Sequence, residues 1–220
     1  MNTEFIEFLA RSGAVKFGEF TLKSGRQSPY FISTGVLCDG LTSYELGKNF
    51  ARKISEVYGA NGIDGIYGPA YKGIPLAVSV SIALAKEFGM NKPWIFDRKE
   101  KKTHGDASGF VGADLDKGAK LVIVDDVMTT GETKVEAINK IETAIGADVV
   151  GIVIAVDRQE RGKRLSAIEE FSEDYGIPVH SITTIKEIFE HLRGRNVNGK
   201  VYVDDKIFEQ FTEYRKKYGV

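Results

Sequence analysis

Leu121-Val122-Ile123-Val124-Asp125-Asp126-Val127-Met128-Thr129-Thr130-Gly131-Glu132-Thr133 is the stretch on which the reading of this chain turns. Four apolar residues without polar alternation mark a buried strand, and two carboxylates stand where that strand leaves its sheet. A short hydroxyl-rich loop with one glycine then enters a predicted helix over 132–145, followed by a second buried strand over 149–156. Two such strands joined by a helical crossover predict a central parallel sheet covered by helices on both faces. Ligands of sheets of this kind bind beyond the carboxyl ends of the strands, which is where this loop lies.

The loop also has a direct chemical reading. Backbone N–H groups at the helix start, with the hydroxyls of Thr129, Thr130 and Thr133, form a cradle suited to phosphate. Carboxylates beside a phosphate repel it unless they grip ribose hydroxyls, or a magnesium ion that the sugar also coordinates. Taken alone, an Asp-Asp pair before a helix is equally ordinary capping chemistry. Neither the Walker pattern nor the dinucleotide Gly-x-Gly-x-x-Gly pattern is present.

Outward from this centre, strands and helices alternate. Strands are predicted at 63–67, 93–97 and 179–182, and helices at 42–58, 74–88, 166–175, 186–192 and 204–218. A short first helix carries Phe5, Ile6, Phe8 and Leu9, and two short strands flank a Ser-Gly turn within 19–32. The segment 103–118 reads as a long, irregular, glycine-rich connection of the kind that forms lids or binding loops. With no repeat or linker, the 220 residues are expected to form one domain, 1–220.

Composition narrows the function classes. A net charge of -1 gives no general attraction to nucleic acid or anionic membrane, so any basic site must be local. The longest apolar stretches are about ten residues, short of the roughly 20 needed to cross a bilayer. The start lacks the pattern of a signal peptide, so a cytoplasmic location is expected. Cys38, the single cysteine, is expected to be a small, partly buried hydrophobe. His180 and His191 fall outside every motif and are expected to be structural.

Four further segments supply chemistry. The run 97–105 concentrates Arg98, Lys99, Lys101, Lys102 and His104, a set able to offset a polyanionic leaving group. Tyr71 and Lys72 precede a helix of small residues. Phe31 and Ile32 could wall a flat ring, and Arg158 lies just past a strand end, where a guanidinium could pair with a carboxylate. Lys23 sits in the turn between the first two strands.

The stretch 121–133 closely resembles the phosphoribosyl pyrophosphate signature of the type I phosphoribosyltransferases. Three segments, Thr21-Leu22-Lys23-Ser24-Gly25-Arg26 with Ser28-Pro29-Tyr30-Phe31, Gly68-Pro69-Ala70-Tyr71-Lys72-Gly73 and Arg98-Lys99-Glu100-Lys101-Lys102-Thr103-His104-Gly105, resemble those of the orotate branch. So does Asp157-Arg158-Gln159-Glu160-Arg161-Gly162, and the likeness runs in consistent order over 20–162. The resemblance implies the type I fold, a parallel sheet flanked by helices with a small hood from the N-terminal region. It implies transfer of a phosphoribosyl group from phosphoribosyl pyrophosphate to orotate, with Mg2+ as cofactor bound mainly through the substrate.

By the same resemblance Asp125 and Asp126 take the ribose, Thr129, Thr130, Gly131, Glu132 and Thr133 take the 5-phosphate, and Val127 and Met128 belong to the same phosphoribosyl pyrophosphate site. Lys23, Tyr71, Lys72 and Arg98 join the phosphoribosyl pyrophosphate site. Lys99, Lys102 and His104 are implied to reach into a partner subunit of a homodimer with shared active sites. Phe31, Ile32, Thr129 and Arg158 are implied for orotate, although Ile32 stands where the family often has an aromatic. Two other readings share the sugar site: a purine phosphoribosyltransferase, and a non-catalytic regulator that binds the same sugar phosphate. A regulator would need a nucleic-acid surface, and no basic helix-turn-helix pattern is present.

Overall fold

The computed structural model describes residues 1–22, 25–98, 109–129 and 131–220. In chain order the elements are α1 (Thr3–Arg11), β1 (Val15–Thr21), β2 (Gln27–Ile32), α2 (Gly40–Tyr58), β3 (Gly65–Tyr67), α3 (Gly73–Phe88), β4 (Trp94–Asp97) and β5 (Phe110–Gly112). They continue with β6 (Lys120–Asp125), α4 (Glu132–Ala144), β7 (Asp148–Asp157), α5 (Ala167–Tyr175), β8 (Val179–Thr184), α6 (Ile185–Leu192), β9 (Asn196–Val197), β10 (Lys200–Val201) and α7 (Asp205–Tyr218).

Six strands form the central sheet in the order β5-β4-β3-β6-β7-β8. All neighbours run parallel except β5, which lies antiparallel to β4 at one edge. β6 shows why the apolar run has no polar alternation. Leu121 and Ile123 pack on one face with Ile138 and Ile141 of α4, while Val122 and Val124 pack on the other with α2 and α3. Both faces are covered, so the four successive positions Leu121 to Val124 are all buried.

The N-terminal hairpin stands apart from this sheet as the hood. β1 pairs antiparallel with β2, with a register shift between Phe17 and Phe20 beside Gly18, whose φ is +138°. The first strand begins earlier than the sequence suggests, because Val15 to Phe17 find partners in Tyr30 to Ile32. Aromatic rings fasten the hood to the C-terminal elements. Phe189 of α6 stacks on Phe211 of α7 with ring centroids 3.8 Å apart, and Tyr30 meets both edge-on.

Two expectations are corrected, and one element is additional. The segment 103–118 is not irregular throughout, since β5 forms within it. Phe110 is buried there, and Gly112, at φ +121°, passes so close to the backbone of Trp94 and Ile95 that a Cβ would not fit. Cys38 is exposed rather than partly buried, because the preceding 3-10 turn at Thr34–Val36 sends Leu37 inward instead. The β9–β10 hairpin was not anticipated, although Asn198-Gly199 carries its signal. Both residues have positive φ, 53° and 85°, as a tight two-residue hairpin turn demands. Among the described residues no helix is long and apolar enough to cross a membrane.

Candidate active site

β6 delivers Asp125 and Asp126 to the carboxyl edge of the sheet, and the backbone locks both. Asp125 Oδ1 accepts from the Asp126 N–H at 2.8 Å, and Asp126 Oδ1 accepts from the Val127 N–H at 2.9 Å. Each second oxygen faces an ammonium group. Asp125 Oδ2 pairs with buried Lys134, and Asp126 Oδ2 lies 3.5 Å from exposed Lys72. Burial raises the Asp126 carboxyl above its ordinary value, Asp125 beside it adds to the shift, and Lys72, the Val127 N–H and Lys134 oppose it.

The loop that follows turns at Gly131, whose φ of +77° and contact with the Phe171 ring leave no room for a side chain. Met128 is buried beneath the loop, Val127 is half-buried, and Thr129, Glu132 and Thr133 are exposed around its mouth. α4 starts at Glu132, so its first N–H groups have no acceptor within the helix and face this loop. Thr130 lies outside the described residues.

From the neighbouring strand β3 comes the loop Gly68 to Gly73. Gly68 and Gly73 approach so closely that a Cβ on either would strike the other's backbone. The Ala70–Tyr71 peptide is cis, and Tyr71 and Lys72 are exposed. Asp97, at the end of β4, ties this loop down. Its Oδ1 accepts from the Tyr67 hydroxyl at 2.8 Å and the Ala70 N–H at 3.2 Å, and its Oδ2 pairs with Lys140 of α4 at 2.8 Å. Burial opposes ionisation of Asp97, but Lys140, Tyr67 and Ala70 together outweigh it and hold the carboxyl below its usual range. The next residue, half-buried Arg98, donates its N–H to Gly109 O at 2.7 Å and closes the base of the basic segment. Lys99, Lys102 and His104 fall outside the described residues, as does Lys23.

Arg158 follows β7 and is held by Glu160 and Tyr30. Its Nη2 pairs with Glu160 Oε1 at 2.6 Å, and its guanidinium lies 5.4 Å from the Tyr30 ring centre. The same Glu160 oxygen accepts from the Tyr214 hydroxyl of α7 at 2.7 Å, and Arg26 Nη2 lies 3.4 Å from the other oxygen. Burial works against the Arg158 charge, but Tyr30 and Glu160 beside it raise its pKa above the ordinary value. The Arg158 Nε is buried and, among the described residues, has no hydrogen-bond partner. A cleft of about 480 Å³ runs from Thr129 and Glu132 to Arg158 and Arg26.

The structure thus brings Lys72, Asp125, Asp126, Thr129 and Arg158 to one edge of the sheet. It separates Phe31 from Ile32. β-strand alternation turns Phe31 outward, against the ring of Phe20, while Ile32 packs on the core. His180 and His191 lie elsewhere, paired with Tyr58 and Glu7. Sequence reading missed Lys134, Asp97, Lys140 and the buttress formed by Glu160. For Lys134 a signal existed: with Ala137, Ile138 and Ile141 it occupies the buried stripe of α4.

Comparison with known proteins identifies the family. The phosphoribosyl transferase domain family matches residues 39–180. The chain is 42% identical over 218 residues to the orotate phosphoribosyltransferase of Lachnoclostridium phytofermentans, covering 99% of this chain and 96% of that protein. It is 44% identical over 228 residues to that of Bifidobacterium animalis subsp. lactis, covering 100% and 98%. A crystal structure of the Francisella tularensis orotate phosphoribosyltransferase superposes with a TM-score of 0.82 at 39% identity, covering 99% of this chain and 100% of that one. With its sheet, its acidic strand end and its guanidinium at one edge, the chain belongs to the orotate phosphoribosyltransferases, within the phosphoribosyl transferase domain family.

Proposed function

We propose that this chain, working as one domain, transfers the 5-phosphoribosyl group of phosphoribosyl pyrophosphate to orotate, giving orotidine 5-monophosphate and pyrophosphate. The observation that carries the reading is the convergence of an acid pair, a phosphate-type loop and a buttressed arginine at the carboxyl ends of adjacent strands β6 and β7. Asp125 and Asp126 accept hydrogen bonds from the ribose hydroxyls, using lone pairs that the backbone and the two lysines leave open. The loop 127–133 holds the 5-phosphate at the start of α4. Lys72, half-free on its long stem, exchanges Asp126 for the departing pyrophosphate. Arg158 takes the orotate carboxylate, and its buried Nε is a donor that a planar anion can satisfy. Thr129 lies on the same cleft as Arg158, which suits its assignment to the base.

Displacement at the anomeric carbon puts positive charge on the sugar and negative charge on the leaving group. The fixed carboxylates face the first, and Lys72 with the basic segment faces the second. No group of three or more metal-ligating side chains occurs among the described residues, and both carboxylates already face ammonium groups. This donor set fits Mg2+ that arrives on the pyrophosphate oxygens, with Asp125 and Asp126 close by. The ion would supply charge neutralisation on the leaving group.

Lys99, Lys102 and His104 are assigned to the active site of a partner subunit in a homodimer. An apolar groove of about 390 Å³ beside the pyrophosphate loop, lined by Leu37, Leu46, Tyr71, Pro75 and Leu76, favours a second copy as its cover. Leu41, in the first turn of α2, is 85% exposed, and Tyr71 is 66% exposed.

The testing assay follows orotate absorbance with protein, phosphoribosyl pyrophosphate and magnesium, against a control without magnesium. Magnesium-dependent loss of orotate with orotidine monophosphate appearing is the expected result. Unchanged orotate alongside turnover of guanine or adenine would move the assignment to a purine.

A further inference from the structure

Lys134 has no local reason to be where it is. It sits in the first turn of α4, where the helix dipole disfavours a cation, and its side chain is only 6% exposed. It also takes the first place in the apolar stripe completed by Ala137, Ile138 and Ile141. An ammonium group buried in this way is costly unless a counter-charge meets it. The counter-charge is Asp125 Oδ2, with Asp126 also within electrostatic reach.

The two lysines at the acid pair differ in kind. Lys72 is 61% exposed and stands 3.5 Å from Asp126, free to leave when a polyanion arrives. Lys134 has nowhere to go. With the Asp126 N–H on Oδ1 and Lys134 on Oδ2, the Asp125 carboxylate is fixed at both oxygens. We infer that Lys134 is a positioning residue for the sugar site, holding Asp125 ready as an acceptor for a ribose hydroxyl. Through its charge it also keeps the acid pair from capturing a divalent cation before the sugar phosphate arrives.

The physical case is one of charge. Without Lys134, the pair would carry two negative charges opposed, among the described residues, by the exposed Lys72. Two adjacent carboxylates at a partly buried strand end then attract a divalent cation strongly. An ion seated there would occupy the lone pairs the diol needs. With Lys134 the pair carries one net charge, enough to accept hydroxyl hydrogens and too little to hold an ion by itself.

This inference rests on the assignment of Asp125 and Asp126 to the sugar, so the experiment separates the two. Phosphoribosyl pyrophosphate binding is measured by calorimetry for the wild type, for Asp125→Asn with Asp126→Asn, and for Lys134→Met, which keeps length and removes charge. Mn2+ binding without the sugar phosphate is measured on the same proteins. Wild-type affinity in the double Asn variant would overturn the sugar assignment itself. Where that variant loses binding, Lys134→Met is expected to weaken phosphoribosyl pyrophosphate about tenfold or more and to tighten Mn2+ about fivefold. Lys134→Arg, which restores the charge, is expected to recover most of both. Unchanged sugar-phosphate affinity in Lys134→Met overturns the inference. So does weakened affinity without a gain for Mn2+, since that is what mere loosening of α4 would produce. Should Lys134→Met not fold, Lys134→Gln carries the same two measurements with the same expected and overturning results.

Discussion

At the scale of the residue, Asp97 and Asp126 are buried carboxyls displaced in opposite directions. Asp97 meets a lysine, a phenol and a backbone N–H, whereas Asp126 meets a second carboxylate. Because the Asp126 carboxyl is raised, the folded chain takes up its proton more readily than the unfolded chain does. Its contribution favours folding below the unfolded value of about 3.9 and is lost as pH rises through the folded value. At neutral pH the ionised group therefore weighs against the fold. Asp126→Asn should melt higher than the wild type at pH 7 while losing sugar-phosphate binding, with the stability gap closing as pH is lowered toward 4. A lower melting temperature at pH 7 would mean that Lys72 and the Val127 N–H outweigh burial. Arg158 allows a second prediction. Lysine keeps the charge but loses the planar fork, so Arg158→Lys should raise the KM for orotate about tenfold or more while that for phosphoribosyl pyrophosphate stays near wild type. Equal changes in both would show that Arg158 supports the fold instead of reading the base.

At the scale of the element, Asp97 is where three segments meet: the end of β3 through Tyr67, the loop 68–73 through Ala70, and α4 through Lys140. The loop therefore inherits its position from α4, the helix that follows the proposed phosphate cradle. Asp97 is depressed, so its contribution is present above the unfolded carboxyl range and is lost as pH falls through the folded value. Asp97→Asn should accordingly lower the melting temperature at pH 7, and the deficit should shrink as both proteins are taken to acid pH. A deficit independent of pH would point to lost packing in place of lost charge. Glu160 plays a similar joining part, gathering Arg158, Arg26, Tyr30 and Tyr214 from β7, the N-terminal region and α7. The C-terminal helix thus reaches Arg158, the residue proposed to read the base, through one carboxylate.

At the scale of the whole molecule, the sheet edge is one half of the proposed site and the basic segment of a second copy is the other. That arrangement makes a specific demand on mixtures. A chain carrying Asp125→Asn and Asp126→Asn is inactive through its acid pair, and a chain carrying Lys99→Ala and Lys102→Ala through its basic segment. Reassorted at equal amounts, half the dimers are hybrids and each hybrid holds one intact site, so activity should return to about a quarter of wild type. No recovery after verified exchange of subunits would place the basic segment in its own chain's site and remove the need for a dimer.

Some of this was decided by the sequence itself. The runs Leu121 to Val124 and Val149 to Val156 are apolar without polar alternation, as strands covered on both faces are, and the helix between them made the parallel sheet legible. The carboxylates and the loop after them were legible for the same reason: strand end, glycine and helix start are local, and local signals lie close together in the chain. The antiparallel β5 escaped because three residues among glycines carry no periodicity, and only their pairing with Ile95 to Asp97 makes them a strand. The partners of the site residues escaped for a different reason. Lys134 meets Asp125 nine positions away, but Lys140 meets Asp97 across 43 and Tyr30 meets Glu160 across 130. Which charge neutralises which depends on helix packing against the sheet and on what burial excludes. Chemistry-bearing residues are written in the chain, while their protonation, aim and counter-charges exist only once distant segments are packed together.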